Sequence, residues 1–106
     1  MIEYAAKQPG ALPPMHPGEL LREDVLPAVK RPKTEIARLL GISRQTLYDI
    51  LAERQPVTPE VAIRIGKLFG NGPTLWLNLQ QKYDLWKPEN KIGKQVAKIL
   101  TLEAVA

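Results

Sequence analysis

A short polar run that follows a glycine has the residue types needed to read DNA bases. In GISRQTLYDIL, residues 41–51, the third to sixth positions are polar, and Asp49 follows one helical turn later. Arginine bonds guanine O6 and N7 with two parallel hydrogen bonds, and glutamine bonds adenine N6 and N7 in the same way. Threonine contacts a thymine methyl group or a phosphate oxygen, and aspartate accepts from cytosine N4 or repels the wrong backbone. The predicted base contacts are Arg44, Gln45, Thr46 and Asp49; the alternative is an ordinary solvated helix start.

Other side chains around this run are suited to DNA phosphates, which position a protein without reading sequence. For Tyr48 two alternatives remain: its hydroxyl reaches a phosphate, or its ring covers the neighbouring helix as partial core. The predicted phosphate contacts are Lys33, Thr34, Ser43, Tyr48 and Arg54.

The overall charge agrees with a polyanionic partner. The 106 residues include 15 Lys and Arg against 11 Asp and Glu, a net charge of +4. Many ordinary helical bundles are as basic, so the charge alone does not choose between DNA, RNA and a membrane surface. We expect two or three members of the basic cluster to touch DNA, with Lys33 and Arg54 the foremost; the cluster is Lys30, Arg31, Lys33, Arg38 and Arg54.

Composition argues against several other classes of function. Without cysteine there is neither a disulfide nor a thiolate metal site, and the single histidine, His16, cannot form a metal site alone. No catalytic triad, paired catalytic carboxylates or phosphate-binding glycine loop can be assembled, so we predict no enzyme, no metal and no cofactor. No apolar run approaches the ~20 residues that span a bilayer, and the N-terminus lacks the pattern of a signal peptide. A cytoplasmic protein that does not contact a membrane is expected.

The hydrophobic periodicity predicts an all-α fold with five helices. The first begins at Pro17, with His16 as its start residue, and ends near Ala28, because Pro27 interrupts the pattern. The second covers residues 33–40 and ends at Gly41 in the left-handed conformation; the third is capped by Ser43. The fourth is capped by Thr58 and ends before residues 70–72, and the fifth begins at Pro73.

The predicted organisation is one domain between two outer segments. Residues 1–15 contain three prolines and one glycine that interrupt helices, Pro9, Gly10, Pro13 and Pro14, and are predicted to form a flexible extension. Residues 16–86 are predicted to form the DNA-binding domain, which contains a helix-turn-helix. Residues 87–106 form a tail that is interrupted by Pro88 and then carries the spacing of a weak amphipathic helix.

The second and third helices have the spacing of a helix-turn-helix. In that motif a small residue lets two helices approach, a glycine makes the turn, and the second helix lies in the DNA major groove. Ala37, Gly41, Leu47 and Ile50 occupy the required places. KTEIARLLGISRQTLYDIL therefore resembles the helix-turn-helix of the phage-repressor-like, Xre-type family, which implies a five-helix bundle of the lambda-repressor-like type.

Two flanking stretches narrow the resemblance to one branch. MHPGELLREDVLPAV and VTPEVAIRIGKLFGNGPTLWLNLQQKYDLW resemble the HigA family of addiction-module antitoxins, over roughly residues 16–86. Members of that family dimerise, repress their own operon and inhibit a neighbouring RelE-like toxin that cleaves mRNA. The resemblance thus implies three partners: double-stranded DNA with a palindromic operator, a toxin protein and a second copy of the chain.

One position departs from the family pattern. Relatives commonly carry Ser or Thr as the cap of the helix that starts near Lys33, whereas Pro32 stands here. Either Thr34 caps a shorter helix, or Pro32 occupies the first turn with Arg31 before it. The choice decides how Lys33 and Thr34 meet a phosphate.

An aromatic stripe on the fifth helix exceeds what one short helix must bury. It consists of Trp76, Leu79, Tyr83 and Trp86, and we assign Trp76 to the core. The other end of the stripe is assigned to a dimer or partner interface, formed by Tyr83, Leu85 and Trp86.

Two other functions remain as alternatives. One is a stand-alone Xre-type transcriptional repressor without a toxin, distinguished by the absence of a small neighbouring gene. The other is an RNA- or ribosome-associated module, although the sequence lacks the stacking platforms usual for single-stranded RNA.

Overall fold

A computed structural model describes residues 13–102, except for the side chains of residues 88–90. Residues 13–102 contain helices and no strand, which confirms the predicted all-α class. Most of the predicted N-terminal extension, residues 1–12, and the last four residues of the predicted tail lie outside the described residues. The helices are α1 (residues 17–29), α2 (Lys33–Leu40), α3 (Arg44–Leu51), α4 (Pro59–Phe69) and α5 (Pro73–Ala97).

Helix α1 passes through its proline instead of stopping there. It consists of Pro17–Leu20, a π-helical turn at Leu21–Val25, and a last turn at Leu26–Val29. In the π turn the backbone N–H of Leu26 donates to the carbonyl of Leu21, five residues earlier. This change of hydrogen-bond register comes directly before Pro27, which has no N–H to donate. The helix therefore ends at Val29, one residue beyond the predicted end near Ala28.

The core is formed by one buried cluster that all five helices share. Its largest fully buried side chains include Leu21 of α1, Ile36 of α2, Ile50 of α3 and Ile65 of α4, with Trp76 of α5 at 0% exposure. The assignment of Trp76 to the core is therefore confirmed. Burial of large apolar side chains from every helix fixes the position of α3, whose opposite side carries the predicted DNA contacts.

Helix α5 is longer than predicted. It runs without interruption from Pro73 to Ala97, so the break expected at Pro88 is wrong. A proline removes one backbone hydrogen bond and crowds the preceding turn, but the turns on both sides of it keep their own bonds. Helix α5 thus crosses residue 87, where the separate tail was predicted to begin. No described helix has the length and apolar character needed to cross a membrane.

Candidate nucleic-acid interface

The turn between α2 and α3 is set by Gly41. This residue has φ of +75°, and Ile42 N–H donates to the carbonyl of Ala37 at 3.1 Å, as in a left-handed helix end. The predicted conformation of Gly41 is confirmed. From α4, Arg64 Nη1 donates to the carbonyl of Leu40 at 2.9 Å, and a β-carbon on Gly41 would lie 2.6 Å from the same nitrogen. The positive φ therefore favours glycine at this position, and a larger residue would also displace the Arg64 side chain from the end of α2.

Helix α3 begins with the predicted cap. Ser43 Oγ accepts from the N–H of Thr46 at 3.0 Å, and the Ser43 hydroxyl donates to Thr46 Oγ1 at 2.8 Å. These bonds satisfy one of the unpaired N–H groups that open every helix. The side chain of Thr46 is consequently held close to the helix start, where it is half-buried.

The two sides of α3 differ sharply in polarity. Leu47, Ile50 and Leu51 are buried, whereas Arg44 and Gln45 are exposed at its first turn. This arrangement brings the four predicted base contacts onto one helix, with the apolar stripe facing the core. An exposed polar side on a helix that is fixed from behind is the geometry that helix-turn-helix proteins present to the major groove.

Asp49 is at the centre of a hydrogen-bonded group on this face. Its Oδ1 accepts from Gln45 Nε2 at 2.9 Å and from Arg54 Nη2 at 2.9 Å. The Asp49 side chain is 24% exposed and the Arg54 side chain 65% exposed. The carboxylate is therefore already paired within the protein, and it links two of the predicted DNA contacts to each other.

The start of α2 differs from both predicted alternatives. Pro32 stands at the N-cap position, and its carbonyl accepts from the N–H groups of Glu35 and Ile36 at 3.0 and 3.1 Å. Thr34 lies within the first turn and is not the cap. Proline has no side-chain acceptor, so the first turn of α2, with exposed Lys33 and Thr34, presents its N–H groups without a side-chain cap.

The structure also places two further members of the basic cluster, Arg31 and Arg38, and the predicted phosphate contact Tyr48. Arg31 and Arg38 both approach Glu35, at 2.7 and 3.8 Å, so these two cluster members are ion-paired within the protein. Tyr48 is 41% exposed, which favours the outward alternative over partial core.

The start of α1 makes a close contact with the buried side of α3. His16 Nδ1 accepts from the N–H of Gly18 at 2.8 Å, so His16 is the cap of α1 and its predicted place at the helix start is confirmed. A β-carbon on Gly18 would lie 1.8 Å from the carbonyl oxygen of Ile50 in α3. The HPG sequence thus supplies a cap, a buried proline and a backbone contact that only glycine permits.

His16 also joins the two ends of the domain. Its ring meets the ring of Tyr83 edge-on, with centroids 4.8 Å apart, and only 2% of the residue is exposed. Burial lowers the pKa of His16 below its ordinary value; the charges of Glu53 and Asp84 raise it, and those of Lys87 and Arg22 lower it. The neutral form, which can accept the capping bond, is the one that the fold favours.

The end of α3 is held by Arg22 of α1. Arg22 Nη1 donates to the carbonyl of Leu51 at 2.6 Å and to a carboxylate oxygen of Glu53 at 3.2 Å. Glu53 has φ of +63°, the left-handed conformation that commonly ends a helix. Neither residue stands out in the sequence, because only a fold that brings α1 across the end of α3 gives them this role.

The predicted interface residues on α5 divide into two kinds. Tyr83 is half-buried between His16 and Trp86, whose ring centroid lies 6.4 Å from its own, so Tyr83 has a role within the fold. Leu85 is 49% exposed, and Trp86 is half-buried. Gln80 of this helix is buried although no local pattern predicts it; its Oε1 accepts from the N–H of Val57 at 2.8 Å.

Known proteins resemble this chain over most of its length. The helix-turn-helix family matches residues 22–77. An uncharacterised helix-turn-helix transcriptional regulator of Haemophilus influenzae is 34% identical, over 73% of this chain and 72% of its own. Antitoxin HigA-1 of Vibrio cholerae is 31% identical, over 77% of each chain. The solved structure of Pseudomonas aeruginosa antitoxin HigA with the higBA promoter has a TM-score of 0.79 and 36% identity, covering 84% of this chain and 98% of that one.

These similarities bear on the kind of protein. The matching family and the three proteins named above are helix-turn-helix regulators and antitoxins, which confirms the prediction of a helix-turn-helix regulator rather than an enzyme. Among the described residues there is no group of three or more His, Cys, Asp or Glu side chains that could hold a metal ion.

Proposed function

The chain belongs to the HigA family of helix-turn-helix antitoxins, and we propose that it represses its own operon and neutralises a toxin encoded beside it. The observation that carries the proposal is the exposed polar face of α3, opposite a buried apolar side. A relative of 36% identity, the Pseudomonas aeruginosa antitoxin, was solved with its promoter, which supports the same use of this face.

In this proposal the first turn of α3 enters the major groove. Arg44 bonds a guanine through O6 and N7, Gln45 bonds an adenine through N6 and N7, and Thr46 contacts a thymine methyl or a phosphate. Arg44 and Gln45 are exposed, and Arg44 forms no ion pair with another described residue. Each good two-bonded contact contributes ~1–3 kcal/mol of discrimination between bases.

Phosphate contacts hold α3 in register. Lys33 and Thr34 lie at the open start of α2, where backbone N–H groups and the positive helix end favour an anion. Ser43, Tyr48 and Arg54 flank the reading face along α3 and just after it, and each is exposed. These contacts supply affinity that depends on salt and do not depend on sequence.

A homodimer is the form that we propose to bind the operator. A two-fold dimer places two recognition helices about 34 Å apart, one turn of DNA, and so requires a palindromic operator. We propose the second half of α5 for the contact, through Leu85 and Trp86 and the outer edge of Tyr83. The exposed apolar surface of Leu85 supports this location.

The proposed protein partner is a RelE-like toxin that cleaves mRNA in the cytoplasm. This part follows from the family, which includes antitoxin HigA-1 of Vibrio cholerae. The alternative is a stand-alone Xre-type repressor, supported by the similarity to the Haemophilus influenzae transcriptional regulator.

One variant separates the two proposed activities. Arg44→Ala removes a proposed base contact from an exposed position, so folding and toxin binding are expected to persist. When the neighbouring gene is induced with this variant, colonies survive and the two proteins co-purify as with wild type, whereas binding to the promoter duplex weakens ~5- to 150-fold.

The matched control is Lys67→Ala, which removes one exposed positive charge from α4. It should leave both activities intact. Equal promoter affinity for wild type and Arg44→Ala contradicts the base-reading role. Growth arrest that wild type cannot rescue, or no arrest at all, contradicts the antitoxin role and favours the stand-alone repressor.

A further inference from the structure

We infer that Asp49 is a positioning residue that fixes the Gln45 amide in the orientation that reads adenine, and does not itself contact a base. This inference rests on the proposed DNA-reading function of α3. It changes the role of Asp49 from the one that the sequence predicts, since aspartate at this place is otherwise expected to accept from cytosine N4.

The orientation follows from the chemistry of the carboxylate. An ionised carboxylate accepts hydrogen bonds and donates none, so the Gln45 amide must turn its NH2 group toward Asp49. The Gln45 Nε2 to Asp49 Oδ1 distance of 2.9 Å, between residues four apart on one helix, is a well-formed bond. The direction of the amide is thus set before any DNA is bound.

Arg54 holds the carboxylate in this place. Its Nη2 donates to the same oxygen, Asp49 Oδ1, at 2.9 Å. Asp49 is thereby tied both to the reading residue and to a residue after the end of α3, and its negative charge is partly compensated next to the proposed phosphate contacts. Both bonds are accepted by Oδ1 and the Asp49 side chain is only 24% exposed, so Oδ2 alone is left to accept from a base, on a side chain whose direction is already fixed.

The amide groups of Gln45 that remain free after it bonds Asp49 are complementary to adenine. One N–H is used by Asp49, which leaves the second N–H as a donor and Oε1 as an acceptor; no further hydrogen bond engages Gln45 among the described residues. Adenine offers N7 as an acceptor and N6 as a donor, which complements this pair, whereas guanine offers two acceptors, N7 and O6. With its amide fixed, Gln45 therefore selects adenine over guanine on one strand.

The test measures base preference with the full chain. Binding is measured to a set of promoter duplexes in which each position is replaced in turn by each of the four base pairs. The proteins compared are wild type, Gln45→Ala, Asp49→Ala and the double variant. Wild type is expected to prefer adenine at one position of each half-site, and Gln45→Ala to lose that preference. Asp49→Ala should lower the adenine-over-guanine preference there about tenfold, and the double variant should match Gln45→Ala, since one two-bonded contact carries the discrimination.

Two further variants test whether Asp49 acts by orienting Gln45 or only by its negative charge. Asp49→Asn keeps an oxygen that can accept from Gln45, so it should retain more of the adenine preference than Asp49→Ala does. Asp24→Ala removes one exposed negative charge from α1 and should leave every base preference unchanged. Circular dichroism establishes that each variant is folded before its binding is measured.

Other outcomes would contradict either the positioning role of Asp49 or the proposed DNA-reading role of α3. If Asp49→Ala keeps the adenine preference of wild type, or Gln45→Ala does not lose it, the positioning role is wrong. If Asp49→Ala changes the preference at a different base pair, and does so in the Gln45→Ala background too, Asp49 reads a base itself. If wild type shows no base preference at any position, the proposed function of α3 fails, independently of Asp49.

Discussion

The front and the back of helix α3 are built by different kinds of contact. On the front, the side-chain bonds join residues at most five apart, such as Ser43 with Thr46 and Asp49 with Arg54. On the back, α3 is held by residues far away in the sequence: Gly18 lies against the carbonyl of Ile50, and Arg22 bonds the carbonyl of Leu51 across 29 residues.

The difference separates two properties that one helix must combine. The front consists of exposed polar side chains that do not support the core, so substitutions there can change what is bound without unfolding the domain. The back consists of buried apolar side chains and of close contacts to the backbone that leave no space for an added atom. We therefore expect variants of the front residues other than the cap Ser43 to affect DNA binding alone, and back variants to affect stability and DNA binding together.

The largest expected effect is from Gly18→Ala. The added β-carbon would lie 1.8 Å from the carbonyl oxygen of Ile50, so α1 and α3 must move apart. Because a backbone atom cannot turn away as a flexible side chain can, we expect a loss of about 3 kcal/mol or more in the free energy of unfolding. Urea denaturation followed by circular dichroism measures it.

The matched control for that variant is Gly93→Ala. An added β-carbon at Gly93, within α5, meets nothing within 4 Å. Alanine is there a better helix former, and a gain of about 0.5–1 kcal/mol is expected. Equal stability of the two variants would show that the contact between α1 and α3 is not tight.

A smaller effect, confined to DNA binding, is expected from Lys33→Ala in the first turn of α2. Lys33 is exposed in the first turn of α2 and is proposed to bind a phosphate. Its loss should weaken binding to operator and unrelated duplexes alike, and reduce the slope of log affinity against log salt by about one unit. Binding titrations at several salt concentrations measure the slope, and the melting temperature should not change. A slope equal to that of wild type would exclude the contact.

The smallest expected effect is a decrease in the free energy of unfolding in mild acid, caused by His16 in the contact behind α3. Burial lowers the pKa of His16 from its ordinary value of 6.5 in the folded protein. As the pH falls below 6.5, the unfolded chain takes up the proton first, so stability decreases until the pH passes the lower pKa of the folded state. Below that value this group causes no further loss. Protonation of Nδ1 also removes the acceptor for the N–H of Gly18.

The variant His16→Asn tests that assignment. Asparagine can accept the capping bond and does not titrate, so the decrease in stability just below pH 6.5 should disappear. His16 is the only histidine of the chain, and carboxyl groups titrate at lower pH. The same pH dependence in both proteins would mean that His16 is not its source.

Much of the fold could be predicted because its signals are local. Ser43 and Thr58 each cap a helix by accepting a hydrogen bond from the N–H three residues later in the chain. Gly41 adopts the left-handed conformation that few other residues tolerate. Such signals depend on residue type and spacing alone. The same local rules fail at Pro88, where proline predicts a helix end but α5 continues, and at Pro32, where the N-cap position has no side-chain acceptor.

The predicted site residues are on the helices where the sequence placed them, but their bonds to one another were not foreseen. Arg44, Gln45, Thr46 and Asp49 lie on α3, as the helical period requires. That Asp49 bonds Gln45 and Arg54 depends on rotamers and on the turn after Leu51, where Glu53 takes φ of +63°. A pattern of residue types does not determine those torsions.

The caps Ser43 and Thr58, the turn at Gly41 and the polar residues that open α3 can be predicted from residue types and spacing, because each follows from interactions within one or two helical turns. Which distant side chains satisfy the backbone groups near the helix ends follows only from the packed fold. Arg64 reaches the carbonyl of Leu40 across 24 residues, and Gln80 reaches the N–H of Val57 across 23. Bonds of this kind form only after the helices have packed, since the hydrophobic core brings distant backbone groups within reach of the side chains that satisfy them.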